Sequence, residues 1–275
     1  MTGAIVSFSL MAVAGRELSS ELDTFEIMTY RSLIGLAAVL AFGVVQGRLS
    51  QIPTARPGLH VTRNIFHFAG QNLWFFAVAT IPLAQVFALE FTTPIWVALL
   101  APLILAERMT ATRLLAAALG FAGILLVARP GVTPVEIGHL AAALSAVCFA
   151  GNVLATKALS RTEPVWRILF WMTVMQAVMG VLCAGWDGDM ALPSLGATPW
   201  MIAVGLCGLT AHLCMATALS VAPATIVAPM DFLRLPLIAV VGMVLYGEAL
   251  EVAVFAGAAL ILAANLTNIR AESRP

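Results

Sequence analysis

One stretch of this chain occurs twice. Residues 82–107 read PLAQVFALEFTTPIWVALLAPLILAE, and residues 223–248 read PATIVAPMDFLRLPLIAVVGMVLYGE. Pro82 aligns with Pro223, Glu90 with Asp231, Phe91 with Phe232 and Glu107 with Glu248, each pair 141 positions apart. Only 10% of the chain is charged, so two acidic matches at one offset point to an internal duplication. Each copy is long and apolar enough to cross a bilayer, yet each holds a carboxylate in its interior. The 141-residue offset continues outside the stretch, relating Phe8 to Phe149, Arg16 to Lys157, Leu18 to Leu159 and Arg129 to Arg270. Thr24 fits Thr162 better, at 138 positions, which implies a small deletion in one half.

Composition says where such a chain can live. It is 61% hydrophobic, whereas a soluble domain carries about 25% charged residues to cover its surface. Apolar stretches bounded by charge, Pro or Gly predict ten membrane spans, at 2–19, 25–46, 60–80, 83–106, 111–129, 136–157, 165–185, 199–220, 224–246 and 250–269. Their length, without period-2 alternation, predicts helices rather than barrel strands. The expected fold is all-α, with ten transmembrane helices in two five-helix repeats, 1–130 and 131–275. Residues 2–18 lack a preceding basic region and read as a first span rather than a cleaved signal peptide.

Five is odd, so the second repeat is expected to cross in the opposite sense. The basic residues agree. Ten of the 14 Lys and Arg, Arg63 among them, fall on the side of the two termini. Arg16 and Arg129 fall on the other side, and Arg31 and Arg234 fall inside spans. Positive-inside then places both termini in the cytoplasm and the chain in a bacterial-type inner membrane as a multi-pass protein. Inverted repeats mark alternating-access carriers, whose site lies near the midplane between the repeats.

Span four ends in Leu105-Ala106-Glu107-Arg108 and span nine in Tyr246-Gly247-Glu248, while spans one and six end in Arg16 and Lys157. With the duplication, these features resemble the drug/metabolite transporter superfamily, in particular its EamA-type ten-helix members, over essentially the whole chain. The resemblance implies a secondary carrier, most often an exporter of amino acids or related metabolites, as in the YddG-like exporters. Two departures stand out. Ala106 replaces the glycine found at Gly247, and the short start predicts a short first helix or an incomplete N-terminus.

Several polar residues inside spans are candidates for substrate binding or coupling. Glu90 and Asp231 each lie about eight residues into a span, roughly 12 Å deep. A charge there is costly and needs a cavity or a partner. Glu90 has no basic neighbour on its own helix and is expected to be the proton or substrate-amine site. Asp231 has Arg234 three residues on and is expected to be paired. Arg31 is expected to neutralise Glu90 or to grip a substrate carboxylate, or else to snorkel to the outer interface, and Arg234 gets the same reading. His67 and Gln71 share a face, and His212 matches Gln71 in the second copy, as the walls of a shared cavity would. Trp96 and Trp171 sit inside spans, away from the interfacial belt, and are candidates for stacking on substrate. Each has a plainer reading as packing or helix-to-helix hydrogen bonding. Pro94, Pro229 and Pro236 flank the two carboxylates and predict kinked helices. Glu107 and Glu248, at the span ends, are expected to cap loops or pair with basic groups.

Other classes find less support. Net charge is zero, so no electrostatic footprint for nucleic acid exists. No HExxH, GxSxG or paired aspartates supports a membrane enzyme or a metal site. No cofactor is implied, and no CxxC pair occurs among the four cysteines. A continuous polar lining, as a pore needs, is absent from the spans. A carrier for a drug or a nucleotide-linked metabolite is the alternative within the same class. Small faces at Ala116, Gly120 and Gly123, and at Ala256 to Ala259, suit either packing within the bundle or a homodimer contact.

Overall fold

The computed structural model describes residues 1–105, 110–129, 134–186, 188–221 and 232–272. Among them every regular element is helical. The helices are α1 (Thr2–Leu18), α2 (Thr24–Val45), α3 (Pro57–Thr80), α4 (Leu83–Glu90), α5 (Thr93–Leu105), α6 (Ala111–Ala128), α7 (Ile137–Ser160), α8 (Val165–Ala184), α9 (Thr198–Val221), α10 (Arg234–Tyr246) and α11 (Val252–Glu272). A 3-10 turn covers Leu49–Gln51. Three helices, α2, α7 and α8, are long and apolar enough by length and composition alone to cross a membrane. Helix α3 is also long enough, with 24 residues, but His60, Arg63, Asn64, His67, Gln71 and Asn72 lower its hydropathy.

Local chemistry sets the ends. Asp23 caps α2 by accepting from Glu26 N at 2.8 Å, and the Glu26 carboxylate accepts from Asp23 N at 2.8 Å, a reciprocal capping box. Pro57 opens α3 at a position where a missing N–H costs nothing. Gly247 closes α10 with φ 66°, donating back to Gly242 O and Met243 O. That left-handed conformation favours glycine, which explains Gly247 in the Gly-Glu pair. The fourth predicted span is broken: α4 stops at Glu90 and α5 restarts at Thr93, so the kink falls just before Pro94.

The exterior is apolar, and the mainly apolar interior also holds buried polar and charged side chains. Val6, Leu40, Ile65, Leu125, Leu144, Val181, Leu206 and Val244 all face outward, whereas Arg31, Arg63, Asn64, His67 and Gln71 are buried. A belt of outward Leu and Val on nearly every helix is far more than a soluble monomer exposes.

Packing joins the two halves rather than staying within them. The most extensive seams are α3 with α7, α6 with α11, α2 with α8, and α1 with α9. The sequence matches α1 to α7, α2 to α8, α3 to α9 and α6 to α11. Exchanging the halves therefore turns the α1–α9 seam into the α7–α3 seam and leaves the other two unchanged. Phe91 and Phe232, matched in sequence, stack on each other with centroids 4.3 Å apart. The small faces of α6 and α11 meet within the bundle. A Cβ on Gly123 would lie 2.8 Å from Gly257 O, so these faces pack against each other inside the chain.

Two sets of contacts tie the ends together. At the end carrying the α1–α2 link, Arg16 pairs with Glu248 and donates to Val78 O and Ile81 O. Glu248 also accepts from Leu83 N at 2.9 Å. Tyr246 donates to Glu17 at 2.8 Å, and Arg129 pairs with Glu251 at 2.8 Å. The expected pairing of Glu248 is thus present; Glu107 lies outside the described residues. At the opposite end, Thr54 and His60 both bond Glu163. Arg167 donates to Gln51 O there at 2.5 Å.

Candidate functional site

A cavity opens where α2, α3, α8 and α9 meet. It is lined by Arg31, Ser32 and Gly35 of α2, His67 of α3, Met172, Thr173 and Gln176 of α8, and Gly205 and Leu209 of α9. Its volume of about 20 Å³ has room for a water molecule and is far below what a metabolite needs. The cavity as it stands admits no metabolite-sized ligand.

The lining mixes apolar surface with polar groups, and several polar atoms in it and beside it are unsatisfied. Arg31 is only 7% exposed. Its one hydrogen-bond contact is Nη1 to Met28 Sδ at 3.5 Å, a weak acceptor. Arg63, 4% exposed, donates to Thr156 Oγ1 at 2.8 Å and approaches Met172 Sδ at 3.7 Å. Neither guanidinium meets a carboxylate among the described residues. Both ring nitrogens of His67 are buried without a partner, as are Gln71 Oε1, Gln176 Oε1 and His212 Nε2. Buried polar atoms are nearly always bonded, so such a concentration marks a place built for something other than packing. Gln176 is oriented by donating to Asn64 O and Oδ1 at 3.0 and 3.1 Å.

A row of rings leads away from the cavity. His67 meets His212 at 5.8 Å between centroids, and His212 meets Phe8 edge-on at 5.8 Å. The Arg234 guanidinium lies 4.6 Å from the Phe8 centroid and 5.1 Å from that of Phe91. Its Nη2 is 3.3 Å from Glu90 Oε1, and Trp74 Nε1 donates to Glu90 Oε2 at 2.8 Å.

This geometry revises several expectations. Glu90 does have a basic neighbour, Arg234 from the other half, a partner that inspection of its own helix could not reveal. Arg31 does not neutralise Glu90; it lies in the cavity instead. His67 and His212 do come together, with Gln71 one turn beyond His67. Asp231 lies outside the described residues. The two tryptophans are not brought to the cavity. Trp96 packs edge-on against Phe121 at 5.1 Å, and Trp171 donates to Ile52 O at 3.0 Å beside the α2–α3 link. Arg63 was not singled out as a site residue; it is buried, donating to Thr156. Its spacing of four from His67 placed it on the same face, and that signal was available in the sequence.

Comparison with known proteins gives the class. The EamA-like transporter family model matches residues 1–129 and again 136–269. A riboflavin transporter of Brucella anthropi is 31% identical over 251 residues, covering 90% of this chain and 88% of that protein. An S-adenosylmethionine uptake transporter of Rickettsia bellii is 24% identical, covering 98% and 92%. A pseudopaline exporter of Pseudomonas aeruginosa is 25% identical, covering 98% and 94%. A crystal structure superposes with a TM-score of 0.65 over 99% of this chain and 97% of that one, at 20% identity, and shares the fold. The chain belongs to the EamA-like transporter family. It is a multi-pass membrane protein and a transporter of small molecules, not an enzyme.

Proposed function

We propose that the chain is a secondary carrier that moves a small polar metabolite across the bacterial inner membrane by alternating access. Both termini lie in the cytoplasm, and the halves 1–130 and 131–275 act as inverted repeats. The observation that carries this reading is the small cavity, holding Arg31, His67, Thr173 and Gln176, bounded by α2 and α3 of one half and α8 and α9 of the other. A site at the seam between repeats is where rocking of one half against the other exposes it to each side in turn. The seams that exchange when the halves are exchanged, and the self-stacking Phe91–Phe232 pair, support the repeat relationship.

The Arg16–Glu248 cluster and the Glu163–His60–Thr54 cluster then act as closures at the outer and inner ends. Both are made in a structure whose cavity is too small for a metabolite. Glu90 keeps a coupling role in this proposal: protonating it would remove its attraction for Arg234 and loosen a contact between the halves.

The relatives include uptake and export proteins, so they give no preference for the export direction expected from the sequence. Their substrates widen the choice beyond amino acids. The deciding experiment is counterflow in proteoliposomes with riboflavin, S-adenosylmethionine and an amino-acid panel, with and without a pH gradient. Saturable counterflow of one compound is the expected result. Linear, non-saturating flux of every compound would indicate a pore and overturn the reading.

A further inference from the structure

We infer that the cavity grips its substrate through an oxyanion, a carboxylate or phosphate group, with Arg31 as the residue that binds it. The inference deepens the carrier reading and rests on it. A guanidinium brings five N–H donors in a planar fork, and burying it uncompensated is expensive. Arg31 spends one donor on a thioether. Among the described residues, the acids inside the bundle and at its ends are engaged elsewhere. Glu90 pairs with Arg234, Glu248 with Arg16, Glu251 with Arg129 and Glu163 with His60. Glu26 holds Asp23 N and Ala191 N. Snorkelling to a membrane surface does not relieve Arg31, because its head lies flush against α9. A Cβ added to Gly208 would sit 2.9 Å from Arg31 Nε and Nη2. Gly208 thus makes the space in which the fork lies.

Arg63 adds a second buried cation on the far side of Met172. The two raise the local potential together, and such a potential favours an anion over a neutral or cationic group. The unpartnered Gln176 Oε1 and the two His67 nitrogens lie within the same lining. They offer one acceptor and, in either neutral tautomer, one donor and one further acceptor. An oxyanion on Arg31 with a hydrogen-bonding remainder on Gln176 and His67 would satisfy all of them.

The test uses the purified full-length protein and matched probes that differ in the anionic group: S-adenosylmethionine and its methyl ester, riboflavin 5′-phosphate and riboflavin, leucine and leucinamide. At least one acid is expected to bind about tenfold tighter than its twin or better, the scale of a charge-assisted hydrogen bond. The pair that shows it tells carboxylate from phosphate. Arg31→Gln is expected to erase the preference. Gly208→Ala keeps every charge but displaces the fork, and is expected to reduce the preference severalfold. No preference in any pair would overturn the inference, as would a preference that survives in folded Arg31→Gln. If Arg31→Gln does not fold, an unchanged preference in Gly208→Ala overturns it. Saturable transport of a neutral twin, untouched by Arg31→Gln, would remove the anion site and leave the carrier. Loss of saturable transport for every probe would remove the carrier reading itself.

Discussion

The Arg234 guanidinium lies 3.3 Å from the Glu90 carboxylate, so an acid of one half meets a base of the other. Glu90 is 17% exposed at its side chain and Arg234 4%, and breaking a buried pair is destabilising. Glu90→Gln is expected to cost about 1–3 kcal/mol, softened because glutamine still accepts from Trp74. Thermal melts of Glu90→Gln, Arg234→Gln and the double variant check it. Simple additivity of the two losses would show that the pair is not coupled.

Arg16 and Glu248 hold α1, α10 and the start of α4 together at one end. Glu248→Ala removes a charged pair and the acceptor of Leu83 N, on the order of 1.5–3 kcal/mol of closure. A cysteine placed at the cavity-lining Ser32, with native cysteines removed, is expected to react at least about tenfold faster with an impermeant thiol reagent applied outside. An unchanged rate would mean that this cluster does not close the path.

Glu163 lies between α7 and α8. Burial raises its carboxyl, but hydrogen bonds from Thr54 and His60, with the charges of His60 and Arg167, outweigh burial and leave it lowered. A lowered carboxylate stabilises fully above the ordinary glutamate value of about 4.3 and loses that contribution as pH falls through its own value. The melting temperature of Glu163→Gln is therefore expected to lie below wild type at pH 6. The two should converge as pH drops below about 4. A gap that stays constant down to pH 3 would exclude this linkage.

Gly123 faces Gly257 O across the α6–α11 seam. Gly123→Ala is expected to destabilise by about 1–3 kcal/mol, since a backbone oxygen cannot step aside. Gly58→Ala, where a Cβ meets nothing within 4 Å, is the control and is expected to be neutral or slightly stabilising. Size-exclusion profiles distinguish this from a dimer contact: destabilisation without a change of oligomeric state is the expected result.

The architecture was legible because periodic apolar length and duplication are properties of the chain itself. The break at Glu90 was announced by Pro94. The pairing inside the bundle was not legible. Which basic group meets Glu90 depends on how α10 packs against α4, and that is set by side-chain fit between distant segments. Trp96 and Trp171 lie away from the cavity, and depth along a helix says nothing of the face on which a residue lies. Arg63 was not singled out because charge counting treats a basic residue near a span end as solvated, whereas Thr156 and Met172 of the neighbouring helices hold it inside.

The seams have a consequence for biogenesis. Helices α1, α2, α3 and α6 each find their largest packing partner in residues that follow position 136. A ribosome inserting this chain releases the first five spans before any of those partners exist. The nascent half must wait, with Arg31 and Arg63 uncovered, until translation nears the end of α11. A gene cut between Arg129 and Ile137 is therefore expected to yield two fragments that accumulate only when expressed together, each acting as the other's folding template.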